Sequence, residues 1–190
     1  MNKRPIGVLG LQGDVSEHVG VLEGITGDAR VVKKASDLDG IRGLIIPGGE
    51  STTLLKLLKK FKLDREIRKK NLPVFGTCAG AVLLSREILN IDQSTLNLMD
   101  ISIERNGYGR QVESFEADLE IPAIGKKAMR GVFIRAPIIK LAGAGVDILS
   151  EHNGSPVLVR QGNVLASTFH PELSGDDRLH KYFLDMLETD

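Results

Sequence analysis

Several residue types that mark other classes of protein are rare or absent in this chain. It has one cysteine and no tryptophan among 190 residues, and its 25 basic and 25 acidic residues give a formal net charge of zero. A single cysteine excludes an internal disulfide and any zinc site built from several cysteines, and a free thiol is typical of a reducing compartment. The balanced charge gives no electrostatic footprint for nucleic acid or for a membrane surface.

Long apolar runs are also missing. No stretch approaches the ~18 consecutive apolar residues of a membrane-spanning helix. The first five residues lead straight into an apolar strand that is too short for the apolar region of a signal peptide. We therefore expect a cytoplasmic protein that contacts neither membrane nor nucleic acid.

The chain does contain a regular alternation of apolar strands and helical patterns in its first half. A length of 190 residues suits one domain, so we expect a single domain over residues 1–190. The alternation predicts an α/β fold with an open, mostly parallel, twisted sheet and helices on both faces, and the second half should add antiparallel strands. The predicted strands are 6–9, 29–32, 43–46, 74–75, 101–104, 112–119, 131–134, 146–150, 157–160 and 164–169. Residues 88–100 should be irregular, and the last helix should begin near Asp176.

The one cysteine lies in Gly76-Thr77-Cys78-Ala79-Gly80, between the strand at 74–75 and a helix-compatible run. A glycine two residues either side of a nucleophile, at a strand-to-helix turn, is the nucleophile elbow of hydrolases, here with cysteine in place of serine. At a helix N-terminus the macrodipole favours a thiolate, and the Ala79 amide would face a developing oxyanion. A buried core cysteine is the alternative interpretation. The flanking glycines favour the nucleophile.

A second informative turn follows the strand at 43–46 and reads Pro47-Gly48-Gly49-Glu50-Ser51-Thr52-Thr53. Adjacent glycines let the backbone approach a ligand closely, and the peptide between them can rotate with little steric penalty. Ser51 and Thr52 are good N-caps, so we expect them to cap the helix that follows. Alone, the motif indicates a capped strand–helix turn as readily as a ligand site.

A cysteine nucleophile needs a base, and the base needs an orienting group. The strand at 164–169 runs into His170-Pro171-Glu172. Pro171 should hold His170 extended, and in an extended segment residues i and i+2 point the same way. We expect Glu172 to bind one ring nitrogen of His170 and leave the other for Cys78. The carboxyl ends of parallel strands meet at one edge of a sheet, so these groups should meet the turn at 47–51 there.

Other polar residues are weaker candidates. His18, in the first helix, should be a surface or packing histidine, and His152 should be exposed in a turn. Arg105, Arg110 and Arg135 are candidates for binding a carboxylate, although a lone loop arginine is more often a surface residue.

These motifs resemble the class I, Cys-His-Glu glutamine amidotransferases and, more closely, the glutaminase subunits of pyridoxal 5′-phosphate synthases. The elbow and the His-x-Glu pair are common to class I glutaminases and define only the chemistry. Narrower strings point to the synthase-associated group and, with the general motifs, cover almost the whole chain. The narrower strings are Gly-Gly-Glu-Ser-Thr-Thr (48–53), Arg-Asn-x-x-Gly-Arg-Gln (105–111) and Phe-Ile-Arg-Ala-Pro (133–137).

The resemblance implies a flavodoxin-like fold and hydrolysis of L-glutamine to L-glutamate and ammonia through a cysteinyl thioester. The implied catalytic residues are Cys78, His170 and Glu172, and the implied oxyanion hole uses amides of Gly49 and Ala79. No metal or cofactor is implied. The implied partner is the synthase subunit, which would receive the ammonia for pyridoxal 5′-phosphate (vitamin B6) synthesis. The residues implied to bind L-glutamine are Gly49, Glu50, Ser51, Arg105, Ile134 and Arg135.

Three alternatives remain at this point. In the first alternative, the chain is the glutaminase of another synthase, such as imidazole glycerol phosphate synthase, but the narrower strings argue against this. In the second alternative, the chain is a non-catalytic binding module in which Cys78 is an oxidisable sensor, since one fold can host several functions. A cysteine peptidase is disfavoured because nothing in the sequence indicates an extended peptide groove.

Overall fold

The computed structural model describes residues 4–109 and 113–188. Its central sheet has the strand order β10-β11-β12-β4-β3-β1-β2. Strands β12, β4, β3, β1 and β2 are parallel, whereas β11 is antiparallel to both β12 and β10. The expected open, mostly parallel sheet with antiparallel additions is confirmed. These strands span Ile6–Leu9 (β1), Ala29–Val32 (β2), Gly43–Ile46 (β3), Val74–Thr77 (β4), Asp147–His152 (β10), Ser155–Gln161 (β11) and Val164–Ser167 (β12).

The inner strands are apolar at consecutive positions because both of their faces are buried. In β3, Leu44 and Ile46 pack into one hydrophobic core and Ile45 into another, and Val74 and Phe75 of β4 divide in the same way. Helices α2, α3 and α4 contribute to the first core, while α1 and α5 contribute to the second. Helices therefore cover both faces, as expected. They span Val15–Thr26 (α1), Ser51–Lys60 (α2), Leu63–Lys70 (α3), Ala79–Leu84 (α4) and Arg178–Met186 (α5).

The second half adds two small sheets, with strand orders β5-β6-β9 and β7-β8. Strands β5 and β9 were not predicted, and β5 together with the start of β6 at Met99 shortens the expected irregular stretch to 89–98. The predicted strand at 112–119 is seen from Ser114, and Val112 lies outside the described residues. The strands of these sheets are Ser85–Ile88 (β5), Met99–Glu104 (β6), Ser114–Leu119 (β7), Met129–Ile134 (β8) and Ile138–Ala142 (β9).

The topology gathers four chain segments at the carboxyl edge of the parallel strands, where ligands bind in such sheets. Residues 10–14 follow β1, residues 47–50 follow β3, Cys78 follows β4, and residues 168–172 follow β12. Hydrogen bonds join these segments directly: the Cys78 amide donates to the Ser167 carbonyl at 2.9 Å, and the Asp14 amide donates to the Gly48 carbonyl at 3.3 Å. Among the described residues, no helix is long and apolar enough to cross a bilayer.

Helix α4 lies so close to β3 that Gly80 has no room for a side chain. A Cβ at Gly80 would clash with the backbone carbonyl of Ile46, whereas one at Gly24, exposed in α1, would meet nothing within 4 Å. We expect Gly80→Ala to lower the free energy of unfolding by about 1–3 kcal/mol or more. Gly24→Ala should raise it by about 0.5–1 kcal/mol, because alanine favours the helix. Denaturant unfolding of both variants tests this, and a Gly80→Ala protein as stable as the parent would contradict it.

Candidate active site

Cys78 occupies the turn between β4 and α4 in a backbone conformation that L-residues rarely adopt, with φ of 47° and ψ of −104°. Such a conformation costs on the order of 1–3 kcal/mol and persists only where the surroundings enforce it. Here two backbone hydrogen bonds hold the residue in place. The Cys78 N–H donates to the Ser167 carbonyl, and the Cys78 carbonyl accepts from the Val82 N–H. The Sγ atom lies 3.8 Å from the Ile134 carbonyl oxygen. This strained, glycine-flanked geometry is the expected elbow.

His170 follows β12, and its amide donates to the Val132 carbonyl at 2.8 Å. Its Nδ1 donates to Glu172 Oε1 at 2.8 Å, and its ring lines the same cavity as Cys78. The expected contact with Glu172 is therefore present, but the prediction of an extended path from His170 to Glu172 was wrong. Residues Pro171–Leu173 form a short 3-10 helix, because proline is well suited to the first position of a helical turn.

A second carboxylate reaches the same ring. Asp14 Oδ2 lies 3.2 Å from His170 Nδ1. Burial alone would lower the pKa of His170, but hydrogen bonds to Asp14, Cys78 and Glu172 outweigh burial and raise it to about 12. The hydrogen bond to His170 in turn lowers the pKa of Asp14. At neutral pH the ring is therefore an imidazolium, the partner with which cysteine hydrolases hold their nucleophile as a thiolate.

Glu172 lies in a far drier environment than Asp14. Its side chain is 0% exposed, against 35% for Asp14. Burial raises the pKa of Glu172, and the hydrogen bond and charge of His170 oppose this rise. Charged His170 is thus the main group that stabilises the buried carboxylate.

Asp14, His170 and Glu172 carry atoms of the kind that bind metals. One such atom from each residue lies within 4.8 Å of the other two. The same atoms, however, form the hydrogen bonds at 2.8 and 3.2 Å around Nδ1. A cation would have to displace the Nδ1 proton. The arrangement is better suited to orienting a protonated imidazole than to coordination.

A cavity of about 330 Å³ opens beside Cys78 and His170. All the residues expected to bind substrate, together with Ala79, line it, so the structure brings together parts of the chain far apart in sequence. For five of the lining residues, no role was predicted from the sequence: Gln12, Asp14, Val82, Asn106 and Pro137. The rule that ligands lie beyond strand ends would have pointed to Gln12 and Asp14, because both follow β1. The lining residues are Gln12, Asp14, Gly49, Glu50, Ser51, Cys78, Ala79, Val82, Arg105, Asn106, Ile134, Arg135, Pro137 and His170.

The turn at 47–53 differs from expectation in its cap. Glu50, and not Ser51 or Thr52, caps α2, and its carboxylate accepts the amides of Thr52 and Thr53 at 3.0 and 2.7 Å. Burial would raise the pKa of Glu50, but these bonds lower it to about 2. The resulting anion binds the Arg105 guanidinium at 2.9 Å. One carboxylate therefore both starts the helix and fixes one wall of the cavity.

Two further features of this turn face the cavity. Ser51 lines the cavity, and its buried hydroxyl has no hydrogen-bond partner among the described residues. Gly49 has φ of +147°, which favours glycine, and the Gln12 side chain lies against it while accepting the Glu50 amide at 2.9 Å. Gln12 thus holds the turn in place.

The positions of two weaker candidates, His18 and His152, differ in part from what the sequence predicted. The prediction for His18 was correct only as packing: its ring is fully buried beneath Glu172, 3.4 Å from Oε2. His152 is half-buried rather than exposed and stacks on Phe115 and Phe133. Arg110 lies outside the described residues.

Residues 8–189 match the SNO glutamine amidotransferase family. The chain is 54% identical over 186 residues to the pyridoxal 5′-phosphate synthase subunit PdxT of Thermotoga neapolitana, covering 96% of this chain and 99% of that protein. It is 50% identical to the subunit of the same name from Thermus thermophilus, covering 95% of this chain and 96% of that one. A crystal structure of a glutamine amidotransferase aligns with a TM-score of 0.92 at 48% identity, covering 97% of this chain and 99% of its own.

The second carboxylate gives a prediction about the charge of the ring. Asp14→Asn should lower the pKa of His170, because it removes a negative charge 3.2 Å from Nδ1. NMR titration of the His170 ring signals measures the shift. Asp39→Asn makes the same charge change in a side chain that is paired with Lys70 and precedes β3, at the opposite edge of the sheet. That control should leave the pKa unchanged, and equal pKa values in both variants would contradict the role of Asp14.

Proposed function

The chain belongs to the SNO glutamine amidotransferase family, and on that premise we propose that it is the glutaminase subunit of a pyridoxal 5′-phosphate synthase. It hydrolyses L-glutamine to L-glutamate and ammonia. The observation that carries the proposal is the hydrogen-bonded His170–Glu172 pair, which lies beside Cys78 at the wall of an amino-acid-sized cavity. The relatives that share half of its sequence over nearly their full length are named as subunits of this synthase.

In the first half-reaction the Cys78 thiolate attacks the side-chain amide carbon of L-glutamine. The oxyanion that forms is stabilised by the amides of Ala79 and Gly49, which lie at the N-terminus of α4 and in the turn after β3. His170, protonated at rest, donates a proton to the departing nitrogen. The C–N bond breaks, ammonia leaves, and a thioester to Cys78 remains.

In the second half-reaction water attacks the thioester carbon. His170, now neutral, accepts a proton from that water, and the C–S bond breaks to release L-glutamate and the thiolate. Glu172 keeps the ring oriented through both steps and stabilises the imidazolium whenever it forms, as the acidic member of such triads does.

Recognition of free glutamine requires groups for an α-carboxylate and an α-ammonium. Arg105 and Arg135 supply cations at the cavity wall, while Ser51 supplies a buried hydroxyl that is free to bind. Gly49, Glu50 and Ile134 complete the binding surface. Because Arg105 is already fixed by Glu50 and by Thr52 Oγ1, each at 2.9 Å, it is positioned before the substrate arrives.

The nucleophile provides the direct test of activity. Cys78→Ala should abolish ammonia release from L-glutamine, since no other group on the described wall of the cavity can form the thioester. The fold should survive, because the change deletes one sulfur from a side chain that is 7% exposed. Ammonia production and the thermal unfolding midpoint are measured on both proteins. Turnover within tenfold of the parent would exclude Cys78 as the nucleophile.

A synthase partner should also regulate the reaction, because ammonia released into water is lost to synthesis. The peptide between Gly48 and Gly49 can rotate with little steric penalty, turning its N–H toward or away from the oxyanion. One missing oxyanion donor is worth roughly 10²–10³ in turnover. We expect glutamine turnover at saturating synthase subunit to exceed that of the free chain by at least about tenfold. Equal glutamine turnover with and without the synthase subunit would contradict this regulation.

A further inference from the structure

Two histidines lie in contact beneath the catalytic Glu172, and the reaction described above does not use them. His18 projects from α1 and His180 from α5, and both are 0% exposed. His18 Nδ1 lies 3.0 Å from His180 Nε2. The other nitrogen of His18 lies 3.2 Å from Thr77 Oγ1 and 3.4 Å from Glu172 Oε2. A line of polar groups therefore runs from α5 through α1 to the site.

The surroundings make both rings neutral. Burial lowers the pKa of His18 well below its usual value, and the nearby His180 and His170 rings lower it further. Burial also lowers the pKa of His180 to about 4, with only a small opposing effect from Asp177. Each ring therefore carries one N–H at neutral pH. The contact between the two rings holds one of those hydrogens, so only two arrangements are open.

In the first arrangement His180 Nε2–H donates to His18 Nδ1. The proton of His18 is then on Nε2, facing Glu172 Oε2 and Thr77. His180 Nδ1, which is buried and has no partner among the described residues, is a bare acceptor.

In the second arrangement His18 Nδ1–H donates to His180. A lone pair on His18 Nε2 then faces the carboxylate of Glu172, and the orphaned Nδ1 of His180 becomes a buried N–H without an acceptor. An unsatisfied buried donor is costly, and the lone pair on Nε2 repels the nearby carboxylate even where the Thr77 hydroxyl donates to it at 3.2 Å. The first arrangement avoids both penalties.

We propose that His18 is a positioning residue whose Nε2–H, hydrogen-bonded to Thr77 Oγ1 at 3.2 Å, is shared with Oε2 of Glu172 at 3.4 Å, in the tautomer set by the hydrogen bond from His180. The proposal rests on the proposed glutaminase function. It assigns a donor to the one oxygen of Glu172 that otherwise lacks a hydrogen-bond partner among the described residues.

The donor explains how Glu172 stays ionised and oriented in a dry environment. Oε1 accepts from His170 at 2.8 Å, and a second donor on Oε2 prevents the carboxylate from rotating or taking up a proton. The other ionisable group that faces this pair is Asp14, on the far side of His170. Its negative charge opposes ionisation of Glu172, which makes the donor from His18 more important.

Two substitutions of His18 separate donation from packing. His18→Leu keeps a buried side chain but removes the donor, whereas His18→Gln retains an amide N–H near the position of Nε2. Loss of a hydrogen bond to a charged group shifts the pKa of that group by roughly one to two units. For His18→Leu we therefore expect the acid limb of the kcat/KM profile to move up by about one to two pH units. We also expect kcat at pH 7 to fall at least about tenfold, with KM within about twofold of the parent.

His18→Gln should restore the acid limb and most of kcat, a rescue that a merely structural role would not produce. Equal losses in the two variants, or an unchanged acid limb in His18→Leu, would overturn the proposal.

The tautomers are measured independently of activity by long-range ¹H–¹⁵N NMR spectra of the full chain. We expect both His18 and His180 to carry their proton on Nε2, and His180→Leu to leave His18 in a mixture of tautomers. A proton on Nδ1 of His18 in the parent protein would overturn the inference even if both variants failed to fold. If the parent protein with its synthase subunit released no ammonia, the proposed function would fail, and the tautomer result would still decide the hydrogen bond.

Discussion

The site depends on a backbone that is held in a costly conformation at Cys78. Nothing in the residue itself favours a φ of 47°, so the surrounding packing must impose it. The glycines at 76 and 80 make this possible, because a Cβ at either position would collide with the neighbouring turn or with β3. Helix α4 can then begin directly beneath the thiol, and its buried residues anchor it in the core. The stability of that core therefore holds the Cys78 thiol in place.

A second constraint is the burial of ionised groups behind the nucleophile. The side chains of His170 and Glu172 are 4% and 0% exposed, and an unpaired charge in such a dry environment is costly. The pair is tolerated because each charge stabilises the other at 2.8 Å, and Asp14 adds a second carboxylate from the solvent side. The proton therefore rests on His170, ready for the leaving ammonia. Preorganised charge of this kind does not have to reorient during the reaction.

Much of this arrangement follows from local sequence, and the remainder depends on contacts across the fold. The elbow and the His170–Glu172 pair were predictable because glycine spacing and strand ends have local signatures. Strand β9 was missed because its partner β6 is distant in sequence, and β5 was missed because its four residues, Ser85–Ile88, show no apolar alternation. The cap on α2 was misassigned, because a longer Glu50 side chain reached the amides that Ser51 was expected to bind. His18 has no local signature, since its role depends on α5.

The catalytic groups and the oxyanion turn are not held equally firmly. Cys78 and His170 follow strands of the central sheet and are tied by backbone bonds of 2.9 and 2.8 Å to Ser167 and Val132. The turn at 48–50 is held by the Gln12 side chain and by a longer bond of 3.3 Å to the Gly48 carbonyl. Long bonds and side-chain tethers are easier to break than a sheet ladder. In the proposed mechanism, a synthase subunit that docks at this edge would therefore reset the turn while leaving Cys78 and His170 in place, and oxyanion stabilisation would be the step most open to control.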